Sequence, residues 1–129
     1  MGYNILVVDD SSVMRTMIIK SLGMSGVEIG EVYQSGNGKE GLEELDKNWV
    51  DLVIIDINMP VMNGQEMIEN MRQNEEMSKV PVIVISTEGS EKRIAQLKEK
   101  GIRFIHKPFT PEIIRDTVNE IMEEEPHGE

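Results

Sequence analysis

Apolar and polar positions change period repeatedly along this chain. Tyr3–Val8 (YNILVV), Leu52–Ile55 (LVII) and Val80–Ile85 (VPVIVI) are short, nearly continuous apolar runs rich in β-branched residues. Runs of this kind predict strands buried on both faces, as in a parallel sheet. Val27–Tyr33 and Arg103–His106 are weaker strand signals that suit positions nearer an edge. Between them the period lengthens to that of a helix. Ser12–Met24 sets Val13, Met14, Met17, Ile18 and Leu22 on one side, and Gly38–Asn48 aligns Leu42 with Leu45. Gly64–Asn74 does the same with Met67, Ile68 and Met71, Ser90–Lys100 with Ile94 and Leu97, and Pro111–Met122 with Ile113, Ile114, Val118, Ile121 and Met122. Pro111 suits a first helical turn, with Thr110 as its cap.

Strand and helix alternating in this way predict right-handed crossovers and an α/β fold, a doubly wound parallel sheet covered by helices on both faces. No internal repeat and no linker interrupts the pattern. The expected division is a domain over residues 1–122 and an acidic tail over residues 123–129 (EEEPHGE). The tail holds Pro126 and Gly128 and is expected to fray.

Composition narrows the function classes. With 129 residues and 39 % hydrophobic content the chain is long enough to bury one core. It has no cysteine, so thiol and disulfide chemistry are excluded. The first apolar run, Ile5–Val8, ends at two aspartates and has no basic segment before it, unlike a signal peptide. No stretch reaches the roughly 20 apolar residues of a membrane span, and the expected location is cytoplasmic. The 24 acidic and 13 basic residues give a net charge of −11, which argues against a nucleic-acid partner.

In an open α/β sheet, ligands bind beyond the carboxyl ends of the strands. Asp9 and Asp10 stand there after the first strand, Asp56 after the third, Ser86 and Thr87 after the fourth, and Lys107 and Pro108 after the fifth. Carboxylates gathered at one edge repel one another unless a cation joins them. A hard divalent ion such as Mg²⁺ takes oxygen ligands and needs only one or two carboxylates plus a phosphate. Two histidines, His106 and His127, show no ligand spacing, so a soft-metal site is not expected. A carboxylate beside such an ion is also a nucleophile toward phosphorus, and Lys107 and Ser86 suit the remaining phosphoryl oxygens.

Other readings of these residues are structural. Asp9-Asp10-Ser11-Ser12 also suits a helix cap, Gly64 a close backbone approach, and Trp49 packing at a helix end. Gly36-Asn37-Gly38 reads as a turn, since it lacks the pattern of a dinucleotide loop. The methionines read as core filler, with Met59 and Met62 nearer the surface.

The segments VVDD (7–10), DINMPVMNG (56–64), VISTEGS (84–90) and KPFTP (107–111) closely resemble the response-regulator receiver family, and the similarity spans nearly the whole chain. No output domain is expected on this reading, and the chain is similar to stand-alone CheY-like receivers of chemotaxis. The resemblance implies a flavodoxin-like sheet of order 2-1-3-4-5 with five helices. It implies Asp56 as phosphoacceptor from a CheA-like histidine kinase, and Mg²⁺ held by Asp9, Asp10, Asp56 and the backbone carbonyl of Asn58. Ser86 and Phe104 would form the switch, Lys107 would pair with the phosphoryl group, and Lys107–Pro108 would be cis. Asn58 and Glu88 hold the positions that tune phosphoryl lifetime, and a polar Glu88 implies a short one. A flagellar motor switch protein and a phosphatase are the further partners implied. Departures are Thr87, where many members carry Ala or Gly, and Phe104 in place of Tyr.

The rival readings are a receiver outside motor control, acting as a phosphate sink or relay, and a Mg²⁺-dependent phosphatase of the haloacid dehalogenase type. The latter resembles a D-x-D pattern after its first strand, whereas Asp9 and Asp10 are adjacent here and no cap domain follows.

Overall fold

A computed structural model of the chain describes residues 2–124. The elements run β1 (Tyr3–Val8), α1 (Ser12–Met24), β2 (Ile29–Ser35), α2 (Gly38–Lys47), β3 (Leu52–Ile55), α3 (Gly64–Gln73), a single 3-10 turn (Met77–Lys79), β4 (Val82–Ser86), α4 (Glu91–Glu99), β5 (Arg103–His106) and α5 (Pro111–Glu124). The strands form one 5-stranded sheet in the order β2-β1-β3-β4-β5, and each neighbouring pair is parallel.

The two-residue period of the central strands divides their side chains between two cores. Ile5, Val7, Leu52, Ile54, Ile83 and Ile85 face α1 and α5, where Ile18, Leu22, Ile114, Val118 and Ile121 meet them. Leu6, Val8, Val53, Ile55, Val82 and Val84 face the other way, onto Met67, Ile68 and Met71 of α3 and Leu97 of α4, with Leu42 and Leu45 of α2 alongside. This is why the inner stretches of β1, β3 and β4 are apolar throughout: neither face reaches water.

Short polar side chains start the helices. Ser11, Asn37, Asn63, Ser90 and Thr110 each accept a backbone N–H of the first turn. At α3 the bond is reciprocal, Glu66 accepting the Asn63 N–H, which completes a capping box. Asn37 of the predicted Gly-Asn-Gly turn is therefore the cap of α2, and Gly38 is its first residue.

Several expectations shift. β2 lies two residues later than the apolar run Val27–Tyr33, because Ser25 holds the Val27 N–H in the preceding turn and Gln34 and Ser35 pair with Val7 and Val8. β4 begins at Val82, after Pro81, and includes Ser86. On α1, Ile18 and Leu22 are buried, but Val13 and Met17 face outward at 69 % and 49 % exposure. Trp49 does not pack: it is 77 % exposed, and its ring N–H donates to Asp51. α5 continues through Glu123 and Glu124, beyond the expected boundary at residue 122. The rest of the predicted tail, residues 125–129 with His127, lies outside the described residues. No helix among the described residues is long and apolar enough to cross a membrane.

Candidate functional site

The chain leaves β1 for β2 on one side and passes to β3 on the other, so a crevice opens beyond the carboxyl ends of β1 and β3. Backbone hydrogen bonds carry the ladder one residue past the strands: the Asp9 N–H donates to Ser35, the Asp56 N–H to Val8, and the Lys107 N–H to Ser86. The three residues are thus fixed by the sheet rather than by free loops.

Asp9 and Asp56 are buried, at 1 % and 9 % exposure, while Asp10 is exposed at the rim. One carboxylate oxygen from each of Asp9, Asp10 and Asp56 lies within 4.8 Å of the others. Lys107 reaches in from the end of β5 and places Nζ 3.2 Å from Asp9 Oδ2 and 3.2 Å from Asp56 Oδ2. The remaining oxygens of the buried pair accept backbone N–H groups, Asp9 Oδ1 from Ser11 at 2.9 Å and Asp56 Oδ1 from Ile57 at 2.7 Å. Burial pushes the Asp9 carboxyl above its ordinary range; the Ser11 N–H and the Lys107 ammonium oppose this, and the Asp56 charge adds to it. Three carboxylates and one ammonium leave a local charge of −2, and a divalent cation matches that charge and the all-oxygen donor set. The cluster therefore fits a metal ion.

Ser86 is fully buried at the end of β4, and its Oγ accepts the Glu88 N–H at 3.1 Å. Thr87 beside it is exposed, as is Asn58 two residues after Asp56. Glu88 is half-buried with both carboxylate oxygens engaged: Oε1 by Arg93 at 2.9 Å and Oε2 by the Ser90 N–H at 3.0 Å. Phe104 is half-buried on β5, its ring edge-on to His106 with centroids 4.7 Å apart. It borders a shallow groove of about 450 Å³ between α4 and α5, lined also by Lys98, Ile102, Arg103, Thr117 and Glu120.

The loop from Asp56 to α3 is held closely. The Gly64 N–H donates to the Ile57 carbonyl at 2.8 Å, and a Cβ on Gly64 would stand 2.3 Å from the Asp56 carbonyl oxygen. Gly38 meets the same loop through Met62. Val61 lies between with φ 67, inside a three-residue turn closed by the Met62 N–H and the Pro60 carbonyl. The Lys107–Pro108 peptide is cis, as the resemblance implies.

Some residues of the site carry no signal in the sequence. Arg15 on α1 donates to the Asp9 carbonyl and, through Nε, to Gln34 on β2, which fixes the Asp9-Asp10 turn. Arg93 also donates to Gln65 on α3. His106 has no ligand spacing, yet its ring is the neighbour of Phe104. Asp9 lies before α1, so no helical spacing points from it to Arg15. Arg93 and Gln65 lie too far apart in sequence, and a two-residue spacing on one strand does not single out His106.

Known proteins place this arrangement in a class, the receivers of two-component signalling. The chain belongs to that family: the model of the response regulator receiver domain matches residues 5–119. It is CheY-like. The chemotaxis protein CheY1 of Helicobacter pylori is 36 % identical over 120 residues, covering 92 % of this chain and 95 % of that protein. The chemotaxis protein CheY homolog of Campylobacter jejuni is 34 % identical, with 92 % and 91 % covered. The structure of the chemotaxis response regulator CheY4 of Vibrio cholerae matches with a TM-score of 0.81 at 31 % identity, over 94 % of this chain and 99 % of that one. The chain is accordingly a phosphorylation-activated signalling receiver, and the phosphatase alternative is not favoured.

Proposed function

We propose that this receiver takes a phosphoryl group onto Asp56 from a CheA-like histidine kinase and, so modified, presents a binding face to a chemotaxis partner such as a flagellar motor switch protein. The observation that carries the reading is the Lys107 ammonium seated equally close to Asp9 and Asp56 inside the acidic cluster. In the transfer, the phosphorus–nitrogen bond of the donor phosphohistidine breaks as an Asp56 oxygen bonds to phosphorus, and the imidazole leaves after taking up a proton. Asp9, Asp10, Asp56 and the Asn58 carbonyl would hold Mg²⁺, which when bound neutralises phosphoryl oxygens.

Lys107 then exchanges a carboxylate partner for the phosphoryl group. The Ser86 hydroxyl, which accepts from Glu88 in the unmodified chain, donates to a second phosphoryl oxygen. That movement draws on the β4–α4 loop, and Phe104 follows it inward from the groove beside α4 and α5. Asp56 later loses the group to water, so the chain modifies itself without turning over a separate substrate. Glu88 tunes that loss, and a phosphatase partner would hasten it. The signalling module runs through α5 to Glu124 and is followed by the acidic segment 125–129, and it acts in the cytoplasm.

The reading is tested by mixing the chain with a phosphorylated histidine-kinase phosphotransfer domain and Mg²⁺. Label moving to this chain, blocked by chelation and by Asp56→Asn, supports it. Label that stays on the kinase domain, or hydrolysis of generic phosphate esters with turnover, contradicts it.

A further inference from the structure

Around the β4–α4 loop, polar side chains from three elements form one connected set. Ser86 Oγ accepts the Glu88 N–H, which bends the loop just past the end of β4. The Glu88 carboxylate then turns toward α4, where Oε2 accepts the Ser90 N–H at 3.0 Å and Oε1 accepts from Arg93 at 2.9 Å. Arg93 uses its second terminal nitrogen on Gln65 Oε1, at the start of α3. Gln65 directly follows Gly64, whose N–H holds the loop that carries Asp56. A single guanidinium therefore joins the β4–α4 loop, through Glu88, to the first turn of α3, through Gln65. Its planar fork presents two terminal nitrogens in a fixed geometry, one to each acceptor.

The Glu88 side chain is 13 % exposed and Arg93 36 % exposed, so the pair is partly withdrawn from water. Both carboxylate oxygens of Glu88 accept from groups at the start of α4, which turns the carboxylate toward that helix.

We infer that Arg93 is a positioning residue for the phosphoryl cycle: by holding Glu88 against α4 and Gln65, it keeps the Glu88 carboxylate from orienting water at the phosphorylated Asp56, and so prolongs that state. The inference rests on Asp56 being the phosphoacceptor. In the hydrolysis it concerns, a water oxygen bonds to phosphorus, the bond between phosphorus and the Asp56 oxygen breaks, and inorganic phosphate leaves with the aspartate restored. The water proton passes to Glu88 or to solvent. Glu88 freed from Arg93 speeds this step, whereas Glu88 held by it does not.

The test loads the chain with acetyl phosphate and Mg²⁺, removes the donor, and follows loss of the phosphoryl mass with time. Arg93→Met keeps the alkyl stem and removes the fork, and its dephosphorylation rate is expected to rise about threefold. Arg93→Lys, which retains the pairing with Glu88 but not the bridge to Gln65, falls between Arg93→Met and wild type. In a Glu88→Gln background, Arg93→Met produces no further change, because the effect passes through that carboxylate. A general loosening of the loop would speed hydrolysis equally in both backgrounds, and that result overturns the inference. So does an Arg93→Met rate equal to or slower than wild type when the wild type loads normally. Wild-type protein that takes up no phosphoryl group at all overturns the phosphoacceptor reading, and this inference with it.

Discussion

Lys107 Nζ stands 3.2 Å from Asp9 Oδ2 and 3.2 Å from Asp56 Oδ2, although Lys107 and Asp9 are separated by 98 positions in the chain. The ammonium is the cation that lets two buried carboxylates coexist, and its main chain is anchored by the bond from the Lys107 N–H to Ser86. Replacing it leaves both acids facing each other in a poorly hydrated crevice. Lys107→Met should therefore destabilise the metal-free fold by about 1–3 kcal/mol in chemical denaturation. Millimolar Mg²⁺ should restore part of that loss, since the ion takes over the neutralising role.

The Asp9 carboxyl gives a pH signature. Its folded pKa is raised above the ordinary value of 3.8, chiefly by burial. The folded state thus binds the proton more tightly than the unfolded chain, and stability falls as pH rises through the window between the two values. Well below 3.8 both states are protonated and the penalty is absent. Asp9→Asn should consequently stabilise the metal-free protein at neutral pH, with the gain fading as pH drops through that window. Denaturation midpoints measured across pH, with chelator present, check this. A gain that grows toward acid pH would contradict the sign.

Gly64 is set by proximity, not by a special φ. A Cβ there would lie 2.3 Å from the Asp56 carbonyl oxygen and 2.9 Å from the Ile57 Cα, both backbone atoms that cannot rotate aside. Gly64→Ala should cost about 2–4 kcal/mol and displace the Asp56 main chain, so phosphoryl loading should fall together with stability.

Val61 presents the opposite case. A β-branched residue at φ 67 is strained, and its side chain is 77 % exposed and buries little in return. Val61→Gly should raise stability by about 1 kcal/mol, relief of strain exceeding the added freedom of the unfolded chain. Thermal unfolding of the two proteins side by side measures it.

The parts of the molecule legible in the sequence are those that rest on one-dimensional periodicity. The runs at Ile5–Val8, Leu52–Ile55 and Val82–Ile85 are buried on both faces, so their apolar continuity is visible without any partner. The site is legible for a related reason: each of Asp9, Asp56, Ser86 and Lys107 sits at or one step past the end of a strand, and the doubly wound topology brings those ends together. β2 is less legible, because its last residues, Gln34 and Ser35, are strand by virtue of pairing with Val7 and Val8, not by apolar character. Helical period alone likewise does not tell that Val13 and Met17 face outward while Ile18 turns in, since all are apolar and only the packing against the sheet distinguishes them. The size of Trp49 suggests packing, but its ring satisfies its N–H with Asp51 at the surface. The set joining Glu88, Arg93 and Gln65 spans 28 positions between its last two members and follows no period, so it is visible only in three dimensions.

The central claim is that Asp56, in its acidic cluster, is the group that carries phosphate. Its most direct measurement is the intact mass of the protein after incubation with acetyl phosphate and Mg²⁺. The account predicts a single phosphoryl adduct that disappears with chelator and in Asp56→Asn. A folded protein that binds Mg²⁺ yet gains no phosphoryl mass, or an adduct that persists in Asp56→Asn, would contradict it.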